Sequence, residues 1–212
     1  MILKSFEIKK INQTINNLIL FYGKNEGLKN EALNTLVEEG DNISNYEEKE
    51  ILDNENNFIE NVLSKSLFEP QRFIVIKRAT DKILKIIETL EQKNLEDITI
   101  ILNSDNLEKR SKLRSLFEKN NKLICVPFYP DNDQTLSKLA YNFLRDNKIS
   151  ISPSNINLIV NRCSGDREAL MNELQKIEYF TKKGKKLDSE NISRLINLVE
   201  NHDISELVDN CL

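Results

Sequence analysis

Directly after the apolar run Leu18-Ile19-Leu20-Phe21-Tyr22, the chain reads Gly23-Lys24-Asn25-Glu26-Gly27-Leu28-Lys29-Asn30. A glycine turn between a strand and a helix is where backbone N–H groups can cradle phosphate. A phosphate loop also needs Gly-x-x-x-x-Gly-Lys-Ser/Thr, with Lys for the β- and γ-phosphates and the hydroxyl for magnesium. Here the glycines stand four apart rather than five. Leu28 and Asn30 occupy positions that call for Lys or Ser/Thr, and Glu26 brings negative charge to the helix start. The position suits a nucleotide but the residues do not, so the segment is expected to be a strand-to-helix turn with no bound cofactor.

Other chemistry is equally thin. A magnesium- and base-bearing carboxylate pair would follow the next core strand, but Phe73-Ile74-Val75-Ile76 is followed by Lys77-Arg78-Ala79. There is no Gly-x-Ser-x-Gly, and His202 is the only histidine, so the chain cannot support several triads. Cys125, Cys163 and Cys211 are odd in number, widely spaced and without Cys-x-x-Cys. They predict neither a disulfide framework nor a zinc site, and they fit a reducing cytoplasm. The acidic pairs Glu38-Glu39 and Glu47-Glu48 sit in polar surroundings and are expected to face solvent. No catalytic residue and no metal site are expected.

Two segments remain as binding candidates. Ser66-Leu67-Phe68 ends a helical stripe before Pro70. Leu67 closes that stripe, while Phe68 lies about 100° beyond it. The pair either packs locally or inserts into a partner's pocket. Lys109, Arg110, Lys112 and Arg114, followed by Lys119 and Lys122, form either a solvated face or a contact for phosphates or an acidic partner. Lys182-Lys183-Gly184-Lys185-Lys186 reads as a solvated basic turn.

The elements that must position these residues alternate up to residue 130. Strands are predicted at 18–22, 42–46, 73–76, 98–102 and 123–128. Helices are predicted at 26–39, 55–67, 81–93 and 107–120. Strands alternating with helices of this length imply crossover units and a parallel sheet. The continuous apolar strands, 42–46 excepted, require cover on both faces. Beyond Pro130 the pattern is helical, at 133–147, 154–163, 166–181 and 189–199, with Ser154, Asp166 and Asp188 as N-caps and Gly165 at a corner. The expected architecture is a parallel α/β domain over 1–130 and a small all-helical domain over 131–202.

Composition agrees. Five glycines and four prolines among 212 residues exclude collagen-like and linker-like classes. The 39% hydrophobic content supports a folded core. The net charge is −4, shared evenly between 1–130 and 131–212, so neither part is a basic module and binding of nucleic acid by bulk electrostatics is not expected. The N-terminus lacks a signal-peptide core, and no apolar run approaches membrane-spanning length.

Taken together, the chain resembles the delta subunit family of the bacterial DNA polymerase III clamp loader. The resemblance rests on Phe21-Tyr22-Gly23-Lys24-Asn25-Glu26, on Ser66-Leu67-Phe68 with Arg72-Phe73-Ile74-Val75-Ile76, on Leu107-Glu108-Lys109-Arg110-Ser111-Lys112-Leu113, and on Gly165-Asp166-Arg167-Glu168-Ala169-Leu170-Met171-Asn172-Glu173-Leu174. It implies an AAA+ fold, here an α/β domain without a working phosphate loop and a helical lid. It also implies a non-catalytic subunit of a polymerase holoenzyme. Such a subunit binds the ring-shaped sliding clamp through Ser66, Leu67 and Phe68 and opens the ring for loading onto primed DNA. Its partners would be the clamp and the delta prime and gamma/tau subunits.

Three departures stand out. Lys65 occupies a position where some members carry a further apolar contact. Glu168 stands where ATPase members carry an Arg, with Arg167 one residue away. The family's collar domain would begin within 203–212, so the chain is expected to represent the first two domains. Two alternatives stay open, an ATP-binding clamp-loader subunit and a nucleic-acid-binding adaptor.

Overall fold

Apart from 42–47, the strand-forming runs are apolar along most of their length rather than at alternate positions, and they assemble accordingly. The computed structural model describes residues 1–12, 15–38, 40–64, 71–93, 95, 97–184, 187 and 189–195. β1 (Leu18–Tyr22), β2 (Asn42–Glu47), β3 (Arg72–Lys77), β4 (Ile98–Ser104) and β5 (Ile124–Pro127) form one sheet in the order β2-β3-β4-β1-β5, with every pair parallel. The alternation of side chains splits the core. Leu18, Leu20, Ile74, Ile76, Ile100 and Leu102 pack on one face. Ile19, Phe21, Phe73, Ile101, Ile124 and Val126 pack on the other.

Helices cover both faces. α1 (Glu26–Leu36) lays Ala32 and Leu36 on the second face. The first face takes Ile51 of α2 (Glu48–Asp53), Phe58 and Val62 of α3 (Glu55–Leu63), Ile86, Ile87 and Leu90 of α4 (Leu84–Glu91), and Leu113 and Phe117 of α5 (Lys112–Lys119). This is the expected parallel α/β layering. At the edge, Ile2 bridges Cys125 of β5, and Ser5–Lys10 forms a 3₁₀ turn that buries Ile8.

The chain divides into two compact units, Met1–Pro130 and Asp131–Leu212. In the second, α6 (Asp133–Asp146), α7 (Pro153–Cys163), α8 (Arg167–Lys182) and α9 (Ser189–Leu195) surround a separate core of Leu136, Ile159, Leu170, Leu174, Ile177 and Ile192. Asp166 caps α8, its carboxylate accepting from the N–H groups of Glu168 and Ala169 at 2.8 and 3.1 Å. The corner before it uses Ser164 and Gly165, both at positive φ, 49° and 82°. Among the described residues no helix is long and apolar enough to cross a membrane.

Several local expectations are corrected. The cap of α7 is Ser152, whose hydroxyl accepts from Asn155 N–H at 3.3 Å, and not Ser154. Pro153 takes the first helical position, where its missing N–H costs nothing, and this moves the cap to the residue before it. Glu48 is buried rather than solvated, because its carboxylate accepts from the backbone N–H and the hydroxyl of Thr80. Lys109 and Arg110 lie in a loop, since the helix begins only at Lys112, after the Ser111 cap. The cap expected at Asp188 and the segment 203–212 lie outside the described residues.

Candidate functional site

Open parallel sheets bind ligands beyond the carboxyl ends of their strands, where the strand order reverses. In this sheet that place lies between β1 and β4. Gly23 follows β1 at φ 124°, its N–H donating to Asp105 O at 3.2 Å. A Cβ on Gly23 would lie 2.0 Å from the Phe128 carbonyl oxygen, so only glycine fits. Asn25 is buried and caps α1 by accepting from Leu28 N–H at 3.0 Å, while its Nδ2 donates to Tyr129 O at 3.0 Å. The turn is thus a tightly tied junction between β1, α1 and the end of β5.

The helix that starts there carries its own cation inward. Lys29 is only 1% exposed. Its Nζ donates to Glu26 Oε1 at 2.7 Å, to Asn103 Oδ1 at 2.9 Å and to Ser104 O at 2.7 Å. All three ammonium protons therefore have acceptors, as burial of a charge demands. Asn103 Nδ2 closes the circuit by donating to Glu26 Oε2 at 3.1 Å. Beside this network a cavity of about 330 Å³ is lined by Glu26, Glu47, Lys77, Arg78, Asn103 and Asp105, among others. Arg78 is itself paired with Glu47 at 2.7 Å.

A nucleoside triphosphate with magnesium does not fit this arrangement. The glycine spacing is short, and Glu26 sits at the helix start where phosphate would approach. The nearest buried cation has already given its protons to protein acceptors. The carboxylates lining the cavity are Glu26, Glu47 and Asp105, against the cations Lys77 and Arg78, of which Arg78 is already paired with Glu47. The loop is a strand-to-helix turn, as its sequence implied. Among the described residues no group of three or more His, Cys, Asp or Glu side chains could hold a metal ion.

In the helical unit Arg167 is likewise committed internally. Its Nε and Nη2 form a two-pronged pair with Asp131 Oδ2 and Oδ1 at 2.9 and 3.0 Å, with both side chains about 10% exposed. Glu168 is exposed.

The basic cluster separates into two environments. Lys109, Arg110 and Lys112 come together with Lys119 and Lys122 along an open groove between α4 and α5. Arg114 does not join them, because a two-residue step turns it about 200° around the helix. Its guanidinium lies 4.8 Å from the centre of the Tyr22 ring, donates to Leu107 O at 3.0 Å and pairs with Glu118 at 2.7 Å. Behind it the Cys125 thiol is buried, and burial pushes it up to about 12, which keeps it in the protonated form. Cys163 is raised to about 11, again chiefly by burial. Ser66, Leu67 and Phe68 lie outside the described residues. The Lys29 network escaped the sequence reading, for its partners lie 74 and 75 residues away.

No family model matches the sequence, and no curated protein sequence matches it either. Solved structures do share the fold. The Bacillus subtilis DNA clamp loader delta protein superposes with a TM-score of 0.50 at 16% identity, over 83% of this chain and 56% of that one. Domain III of the Thermotoga maritima replication initiation protein DnaA gives 0.55 at 16% identity, over 90% and 87%. Thermotoga maritima RuvB gives 0.60 at 10% identity, over 95% and 68%. The chain therefore spans little more than half the length of the clamp-loader protein it resembles. The shared architecture is the α/β AAA+-like fold.

Proposed function

We propose that this chain is a non-catalytic clamp-loader subunit of the delta type, which binds a ring-shaped sliding clamp and favours the open ring. The observation that carries the proposal is the Lys29 network. Beyond the carboxyl ends of β1 and β4 it engages the cation of the first turn of α1 in protein contacts, which favours an adaptor over a motor. The likeness to the Bacillus subtilis delta protein and the Ser66-Leu67-Phe68 segment supply the direction. Partners of this reading are the clamp, the delta prime and gamma/tau subunits, and primed DNA within the assembled complex.

Such a function needs no reacting group. A protein that binds the open ring more tightly than the closed one shifts that equilibrium by the difference in affinity. Burying Leu67 and Phe68 in a pocket would contribute roughly 1.5–3 kcal/mol each, with the wider surface supplying the rest. The test is surface plasmon resonance against the clamp from the same organism. The chain is expected to bind, and the Leu67→Ala/Phe68→Ala double variant is expected to lose binding while keeping its melting temperature. Equal clamp affinity in the variant, or none in the parent chain, would overturn the proposal.

A further inference from the structure

α5 has two faces with different tasks. Its only acidic residue, Glu118, is drawn to Arg114. Lys112, Leu116 and Lys119 follow one another at i, i+4 and i+7 on a different face, with the two lysines about 10 Å apart along the axis. That face forms one wall of a groove of about 860 Å³, with Lys109 and Arg110 at one end and Lys122 at the other. Lys109, Lys112, Lys119 and Lys122 are exposed and make no ion pair among the described residues. The opposite wall is acidic. Glu88 and Glu91 of α4 line it, and Glu91 is held in place by the Asn120 side-chain amide. Between the walls, Leu84 and Leu116 are half-buried and give the groove an apolar floor.

These features discriminate between polyanions. A nucleic-acid backbone seated here would press phosphates against Glu88 and Glu91. It would gain nothing from the leucine floor, and the groove contains no aromatic ring on which a base could stack. An amphipathic helix gains from every part. Its apolar stripe covers Leu84 and Leu116, one polar flank offers carboxylates to the lysine wall, and the other offers basic or neutral groups to the α4 wall.

The geometry points to this groove as a docking site for an acidic amphipathic helix of a partner protein, with carboxylates seven residues apart that meet Lys112 and Lys119. The proposal does not rest on Leu67 or Phe68, so the clamp measurement and this one can fail separately.

The probe is a fluorescent helix-forming peptide with Glu at two positions seven apart and Leu at the positions between, titrated by anisotropy against the full chain. Binding is expected, and Lys112→Glu/Lys119→Glu should weaken it by at least about tenfold. A charge-swapped peptide, with Lys for both Glu, should bind that variant better than it binds the parent chain. Leu116→Ser should also weaken the acidic peptide. Both lysines are exposed, and circular dichroism confirms that the variants stay folded. Duplex and single-stranded DNA are titrated in parallel. DNA binding that depends on Lys112 and Lys119 but not on Leu116, without peptide binding, would overturn the proposal in favour of a nucleic-acid groove. Absence of binding to every probe would overturn it outright.

Discussion

The Lys29 ammonium donates a 2.9 Å hydrogen bond to Asn103 Oδ1, joining the first turn of α1 to the end of β4 across 74 residues of chain. The bond lies at the carboxyl edge of a parallel sheet, the side on which open α/β sheets bind ligands. Lys29 is buried there, and its ammonium ties the first turn of α1 to the end of β4.

Lys29→Met keeps the length of the side chain and removes its charge. Asn103 Oδ1 and Ser104 O then lose their donor in a buried place, and Glu26 keeps a partner only in Asn103. The expected loss is about 1–3 kcal/mol, read as a lower urea midpoint with an unchanged slope. Calorimetry with magnesium and ATP is expected to show no binding in either the parent or the variant, because neither carries the loop a triphosphate needs.

Gly23→Ala is expected to be worse tolerated. The φ of 124° strains any L side chain, and the new methyl would meet the Phe128 carbonyl at 2.0 Å. Since the obstacle is backbone, β5 would have to move. A loss of at least about 2 kcal/mol follows, seen as a fall in melting temperature or as insoluble expression.

Acid sensitivity should trace in part to Asp81. The Ser111 hydroxyl, donating at 2.6 Å, holds the Asp81 carboxyl below its ordinary 3.8, and the N–H groups of Leu113 and Lys112 add to the effect. A carboxyl whose folded value is depressed contributes stability above its unfolded value and loses it as pH falls through the folded one. Asp81→Asn should therefore lower stability at pH 7 and flatten the decline below about pH 4. Parallel acid limbs in the two denaturation profiles would contradict this.

Arg167→Lys retains charge but not the fork that holds both Asp131 oxygens. The helical unit should lose about 1–2 kcal/mol. A double-mutant cycle with Asp131→Asn should return a coupling energy of similar size, and a coupling near zero would mean the pair is ornamental.

The sheet was legible because strands buried on both faces must be apolar throughout, as in Leu18–Tyr22 and Phe73–Ile76. The helical unit was legible from its stripes and from Asp166. α2 was not, since a six-residue helix with one fully buried aliphatic, Ile51, shows no periodic stripe, and its Glu48 is buried by a threonine distant in sequence. The basic segment was legible as a cluster but not as a groove. Whether Lys109 and Arg110 belong to the helix depends on where it starts, and the acidic wall comes from a different helix. Clusters local in sequence can be read from it, whereas sites assembled by crossover connections cannot.

The strand order also governs the order of events while the chain is being made. β1 pairs only with β4 and β5, and its nearest partner residue lies about 80 positions downstream. At synthesis rates of 5–20 residues per second, the run Leu-Ile-Leu-Phe-Tyr waits roughly 4–16 s for its first neighbour. During that interval the most apolar strand of the sheet has no ladder to join. A ribosome that pauses before residue 98 prolongs this exposure, so translation speed across β2, β3 and their helices governs how long the strand stays open to chaperones or to another nascent chain.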